Sequence, residues 1–281
     1  MTIQHTHPTW IGQKAFEVLS QSGEARVKGV TSRGVFLQTS SYWTLFLSGE
    51  RFRGPLTINL PQGSGFFGKR YKSDYAQIKN GTLQFQDGLS FSIQNVPVYI
   101  TTILACRPNK ESRQALEMAV KNLDDPLFTR LIDRHAPQPS LQAEIKALDL
   151  VDRMNFGNWD GVTEITQSLL GLGGGLTPEG DDFLIGLAFC LRQMHVEVLT
   201  PQLSAWAAAM LEMADASTTM MSANLLTCAA EGQADERFYE AYKALCLGPR
   251  GTRAAINALL GWGNSSGRMA LAGIVAALLW A

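Results

Sequence analysis

The sequence has no surplus of charge of either sign: 24 Lys and Arg stand against 25 Asp and Glu in 281 residues. A general nucleic-acid binder needs a basic excess, so that class is excluded. Long apolar runs are missing too. The longest uncharged apolar run, Met269 to Ala281, falls short of the roughly 20 residues that span a bilayer; it predicts a buried terminal helix. Met1 to Trp10 shows no basic-then-apolar pattern, so no secretory signal is expected. Cysteine and histidine are scarce, four of each, and neither falls in paired spacing. No metal site is therefore predicted. Cys106, Cys190, Cys228 and Cys246 read as free thiols, three of them buried, in a reducing and hence cytoplasmic setting. No nucleotide signature is present and no cofactor is expected, with magnesium left open.

What is present is a globular composition, 46% hydrophobic and 17% charged, in a length that suits about two domains. Residues 1–110 hold 12 basic and 5 acidic side chains, whereas residues 111–281 hold 12 and 20. The texture changes at the same place. Before it, short alternating stretches are separated by turn signals: Arg26 to Leu37, Tyr42 to Leu47, Leu56 to Leu60, Thr82 to Phe85, Leu89 to Ile93 and Val98 to Ala105. Asn80-Gly81 and Asp87-Gly88 suit tight hairpins because they tolerate positive φ. After Pro108 the period is helical, and Asp125-Pro126, Thr177-Pro178 and Thr200-Pro201 mark helix starts. The expectation is an α+β protein: a β-rich, barrel- or sandwich-like domain over 1–108, then an α-helical domain of about eight helices over 109–281.

The helical half contains a short internal echo. Leu169 to Leu191 reads LLGLGGGLTPEGDDFLIGLAFCL, and Leu259 to Leu279 reads LLGWGNSSGRMALAGIVAALL. With a gap in the shorter second turn, Leu-Leu-Gly-x-Gly aligns with itself, and Gly180, Leu184 and Gly186 align with Gly267, Leu271 and Gly273. Each copy is an apolar helix, a glycine-rich turn and a second apolar helix. A turn that feeds a helix N-terminus presents unpaired N–H groups and the positive end of the helix dipole, which suits an anion. The candidate anion contacts are Gly173, Gly174, Gly175, Leu176 and Thr177 in the first copy. Asn264, Ser265, Ser266, Gly267 and Arg268 are the candidates in the second. Close helix packing explains such glycines equally well.

Asp181 and Asp182 tilt the reading toward function. They precede nine uncharged residues, Phe183 to Leu191, and a helix apolar all round is buried. A dipole gain of about 0.3–1 kcal/mol per carboxylate is small beside the several kcal/mol that desolvating an ion costs. Both acids therefore need specific partners and are the candidate catalytic residues. Thr218, Thr219, Ser222 and Asn224 add polar groups to an apolar helix; Thr219 is counted among the contacts, although bonding back to the preceding turn accounts for such hydroxyls as well. The basic, aromatic stretch Gly65 to Lys72 reads as an exposed hairpin or an anion clamp.

The stretch GLGGGLTPEGDDFLIG resembles the signature of the AllH (YlbF) family, catalogued as a domain of unknown function before its link to oxamate carbamoyltransferase. Thr218 to Ala223, Ala229 to Gly232 and Gly261 to Gly273 extend the resemblance over the helical half. It implies one subunit of a three-component enzyme of allantoin or purine breakdown, with an FdrA-like subunit and a third subunit as companions. That assembly would exchange a carbamoyl group between oxalurate and phosphate. The chain departs from the family's Gly-His-Ser-Ser-Gly-x-Asp pattern: Asn264 stands at the His and Met269 at the Asp, which marks a divergent member. A non-catalytic assembly subunit and a stand-alone binder of small carboxylates or phosphate are the alternatives.

Overall fold

A computed structural model describes residues 4–61, 74–195, 200–248 and 251–280, with side chains from residue 7 onward. The Gly65 to Lys72 stretch lies outside the described residues. The chain divides into two compact units, Met1–Thr101 and Thr102–Ala281, and the fold is α+β.

The first unit is one curled sheet, a half-barrel. Its strands are β1 (Gln4–Thr6), β2 (Trp10–Gly12), β3 (Gly23–Val30), β4 (Gly34–Thr39), β5 (Thr44–Ser48), β6 (Thr57–Asn59), β7 (Tyr75–Lys79), β8 (Thr82–Phe85), β9 (Leu89–Ser92) and β10 (Val98–Tyr99). The spatial order is β1-β9-β8-β7-β3-β4-β5-β6-β2-β10. Of the two expected forms the barrel-like one holds. Period-2 alternation places Val27, Val35, Leu37, Leu45, Leu47, Ile58 and Leu83 in the core, and helix α1 (Gln13–Ser20) buries Ala15, Val18 and Leu19. Asn80 and Gly81 both take positive φ, 51° and 69°, as a tight hairpin between β7 and β8 requires.

Three sequence expectations change here. Arg26 to Leu37 is a hairpin rather than one strand, because Thr31 folds the chain back by bonding to Gly34. Val98 to Ala105 keeps only two residues of strand. Strands β1, β2 and β7 and helix α1 went unread, being short or set in polar surroundings.

The second unit holds α2 (Lys110–Lys121), α3 (Pro126–Ile132), α4 (Gln142–Asn155), α5 (Trp159–Leu169), α6 (Glu179–Met194), α7 (Pro201–Ser217), α8 (Met220–Ala230), α9 (Glu236–Leu247), α10 (Thr252–Leu260) and α11 (Ser266–Trp280). Among the described residues that is ten helices where about eight were expected. The caps at Asp125 and Thr200 accept hydrogen bonds from Leu127 and Leu203 as their Asp-Pro and Thr-Pro pairs predict. None of the described helices is long and apolar enough to cross a membrane.

Helices α6 and α11 form the centre of this unit. Phe183 to Leu191 and Met269 to Leu278 are buried without interruption. Each fully buried Phe, Leu or Ile side chain contributes about 1.5–3 kcal/mol. The echo seen in the sequence is a geometric repeat. A Cβ on Gly186 would lie 2.0 Å from the Ala270 carbonyl oxygen, and one on Gly273 would lie 2.2 Å from that of Phe183. Ala270 is the repeat partner of Phe183, so the two contacts are reciprocal. The turns agree as well: Leu172 N–H donates to Leu169 O and Gly180 N–H to Leu172 O, while Trp262 N–H donates to Leu259 O and Gly267 N–H to Trp262 O.

The helix–helix contact is thus backbone against backbone. Substituting Gly186→Ala or Gly273→Ala forces the helices apart, and the overpacking penalty of typically about 1–3 kcal/mol exceeds the gain of about 1 kcal/mol in helix propensity. Chemical denaturation is expected to show a net loss of stability for each variant. Unchanged or higher stability would refute the close approach.

Candidate functional site

The reciprocal packing brings the heads of α6 and α11 side by side. The hydroxyls of Thr177 and Ser266 meet at 3.0 Å, and Ser265 Oγ lies 3.4 Å from Glu179 Oε1. Thr177 was expected to cap α6. Instead Pro178, in extended conformation, is the N-cap and makes no side-chain cap bond. The turn runs one residue longer than the Thr-Pro pair suggests, and the Thr177 hydroxyl is released toward the other turn. Gly173, Gly174, Gly175, Leu176, Asn264 and Ser265 are exposed around this junction, while Thr177 and Ser266 are half-buried and Gly267 is buried.

Gly173 takes φ +119°, and a Cβ there would strike the Glu179 carboxylate. Only glycine lets the turn close over that side chain. Gly171 and Gly175 also have positive φ, whereas Gly174 does not.

Two amides of the first turn, one of them the candidate anion contact Gly174, are occupied from within. Gly171 N–H donates to Asp181 Oδ1 at 2.8 Å, and Gly174 N–H donates to Glu179 Oε2 at 3.1 Å. Gly267 N–H is likewise taken, by Trp262 O. Asp181 is fully buried. Its second oxygen accepts from the Thr218 hydroxyl, so both oxygens are committed within the chain. Burial raises its pKa, opposed by the bonds from Thr218 and Gly171 and by the nearby Ser222 hydroxyl. Asp181 thereby ties the first turn to the α7–α8 junction. Thr219 caps α8 by accepting from Ser222 N–H, and its hydroxyl donates to Leu176 O at 2.7 Å.

Asp182 is different. It is fully buried, and neither carboxyl oxygen has a hydrogen-bond partner. Leaving such a group unsatisfied costs about 1–3 kcal/mol, more if it is charged. Burial pushes its pKa up to about 8; the neighbouring hydroxyls of Ser266 and Thr177 pull it down only in part, and Asp181 and Glu179 push it further up. Those hydroxyls bond to each other at 3.0 Å and not to the carboxyl. At neutral pH Asp182 is a neutral acid held beneath a hydroxyl pair. The Ser222 hydroxyl is also buried with no bond of its own.

Arg268, the candidate anion contact of the second turn, is fully engaged inside the unit. Its guanidinium donates to both Asp125 oxygens, at 2.5 and 2.7 Å, and to Glu144 at 2.5 Å. Those bonds lower the Asp125 pKa against the upward push of its own burial. The two carboxylates and Glu179 were absent from the expected site; for Asp125 and Glu144 nothing in the local sequence points to the pairing. Met269 is buried where the repeat sets it opposite Asp182. His195 ends α6 with its pKa lowered by burial and then by Arg107. Among the described residues no group of three or more His, Cys, Asp or Glu is placed to hold a metal ion.

The raised pKa values have a thermodynamic consequence. Asp182 is ionised above about 4 in the unfolded chain and only above about 8 in the folded one. The folded state therefore binds more protons between those limits, and stability falls as pH rises through that window, by at most about 1.4 kcal/mol per pH unit for this group. Asp181 acts in the same direction. Asp182→Asn is expected to flatten the slope and raise the melting temperature at pH 8. A slope that is the same in the variant would show that Asp182 ionises normally.

Comparison with curated proteins and with solved structures found no match. The model of the family described as "Oxamate carbamoyltransferase subunit AllH" matches residues 169–278. Over that stretch, which holds both glycine-rich turns, both central helices and Asp182, the chain carries the pattern of the AllH family.

Proposed function

We propose that the chain is a subunit of an oxamate carbamoyltransferase-like enzyme, and that the Thr177–Ser266–Asp182 junction is where it meets the group being transferred. The observation that carries this reading is Asp182: a buried, neutral, unpartnered carboxyl directly behind two half-exposed hydroxyls. Structural acids in a core have their lone pairs occupied, as Asp181 does; a carboxyl left open and tuned toward physiological pH is the arrangement that acid–base work needs.

In the proposed reaction a phosphate oxygen attacks the carbamoyl carbon of oxalurate. The C–O bond of carbamoyl phosphate forms, and the bond to the oxamate nitrogen breaks. The departing nitrogen needs a proton, and Asp182 is protonated at neutral pH and able to supply it through the hydroxyl pair. The family description names a subunit, which supports a hetero-oligomer. An FdrA-like protein and a third chain are the proposed companions, in the allantoin or purine breakdown of the cytoplasm. Magnesium, where it acts, belongs to the phosphate and is not assigned to residues of this junction.

A second reading has its own observation. Asp181 and Glu179 fill turn amides that a substrate anion would use, as expected of a chain that shapes an assembly while a partner performs the chemistry. Reconstitution separates the two. With its companions the chain is expected to support oxalurate phosphorolysis that neither party shows alone, and Asp182→Asn to lower kcat by about 10²–10⁴ with no loss of melting temperature. Full activity in that variant would favour the assembly role.

A further inference from the structure

We infer that the junction of the two turns binds the neutral carbamoyl end of its substrate, a primary amide, in preference to a carboxylate or a free phosphate. The inference rests on the transferase reading and deepens it by naming which end of the substrate the site takes.

Three acids gather at the head of α6: Glu179, Asp181 and Asp182. An anion placed against Thr177 and Ser266 would lie near the Glu179 carboxylate, which reaches Ser265 Oγ at 3.4 Å. The amides of Gly171 and Gly174, which would have offset that repulsion, already serve Asp181 and Glu179. The one cation of the second turn, Arg268, is held by Asp125 and Glu144. Beside those engaged groups the junction presents neutral ones that can both donate and accept: two hydroxyls and a protonated carboxyl.

A primary amide has matching needs, one carbonyl acceptor and two N–H donors. The Asp182 O–H can meet the carbonyl, while its other oxygen and a hydroxyl accept from the amide nitrogen. Opening the Thr177–Ser266 contact lets a ligand approach the carboxyl beneath it, because both hydroxyl side chains are half-exposed. The buried and unpartnered state of Asp182 is then the vacant half of a binding site. A carboxylate offers no donor to the Asp182 carbonyl oxygen and brings a second negative group near Glu179, so it is disfavoured twice over.

Oxamate and oxalate are a suitable pair of probes, since they differ only in an amide against a carboxylate. Saturation-transfer NMR on the full chain at pH 7, with oxamate, oxalate and inorganic phosphate, is expected to show oxamate binding at least tenfold tighter than either of the others. Asp182→Asn keeps a neutral donor and acceptor and is expected to hold oxamate within about threefold. Asp182→Leu and Ser266→Ala are expected to lose at least tenfold. Melting curves report folding, and Thr177→Val replaces any variant that does not fold. Equal binding of oxalate or phosphate, no oxamate binding, or oxamate binding indifferent to Asp182→Leu and Ser266→Ala each overturns the inference. Phosphorolysis in the reconstituted enzyme without an oxamate preference defeats this inference alone, whereas an oxamate preference without phosphorolysis defeats the transferase reading.

Discussion

Everything at the candidate site depends on the contact of two helix backbones without side chains between them. Gly186 lies on the Ala270 carbonyl and Gly273 on that of Phe183, and this pair of contacts draws α6 and α11 together along buried faces. Because the helices start at the same level, their feeding turns meet, and the first turn of α6 is sealed from water. The raised pKa of Asp182 follows from that sealing. Side chains at either glycine would separate the helices, admit solvent and return the carboxyl toward ordinary behaviour.

The internal repeat is symmetric in backbone and asymmetric in chemistry. Asp181 and Arg268 occupy matched positions and do the same geometric work with opposite charge. Asp181 fastens the head of α6 to Gly171 and Thr218, and Arg268 fastens the head of α11 to Asp125 and Glu144. One position further on, Asp182 is matched in the repeat by Met269, a polar residue and an apolar one, both buried.

Much of this was legible in the sequence because the signals were local. The hairpin at Asn80-Gly81, the caps at Asp125 and Thr200, the burial of Phe183 to Leu191 and the glycine echo each depend on residues a few positions apart. The stretch 169–278 also carries its family pattern openly. What could not be read depends on distance along the chain. Arg268 meets carboxylates 143 and 124 residues away, and the Thr177–Ser266 contact joins residues 89 apart. The anion-site expectation for the turns overlooked that the acids following the first turn reach back to occupy its amides. Two neighbouring acids look alike in sequence, and only packing shows that Asp181 is satisfied and Asp182 is not.

The central claim is that Asp182 is a neutral acid at physiological pH because its surroundings are dry. A carboxyl-carbon NMR titration, with Asp182 assigned through Asp182→Asn, measures this directly. The account predicts a midpoint near 8 for that resonance. A midpoint near 4 would mean that the carboxyl is ionised and solvated, and the site as described would not exist.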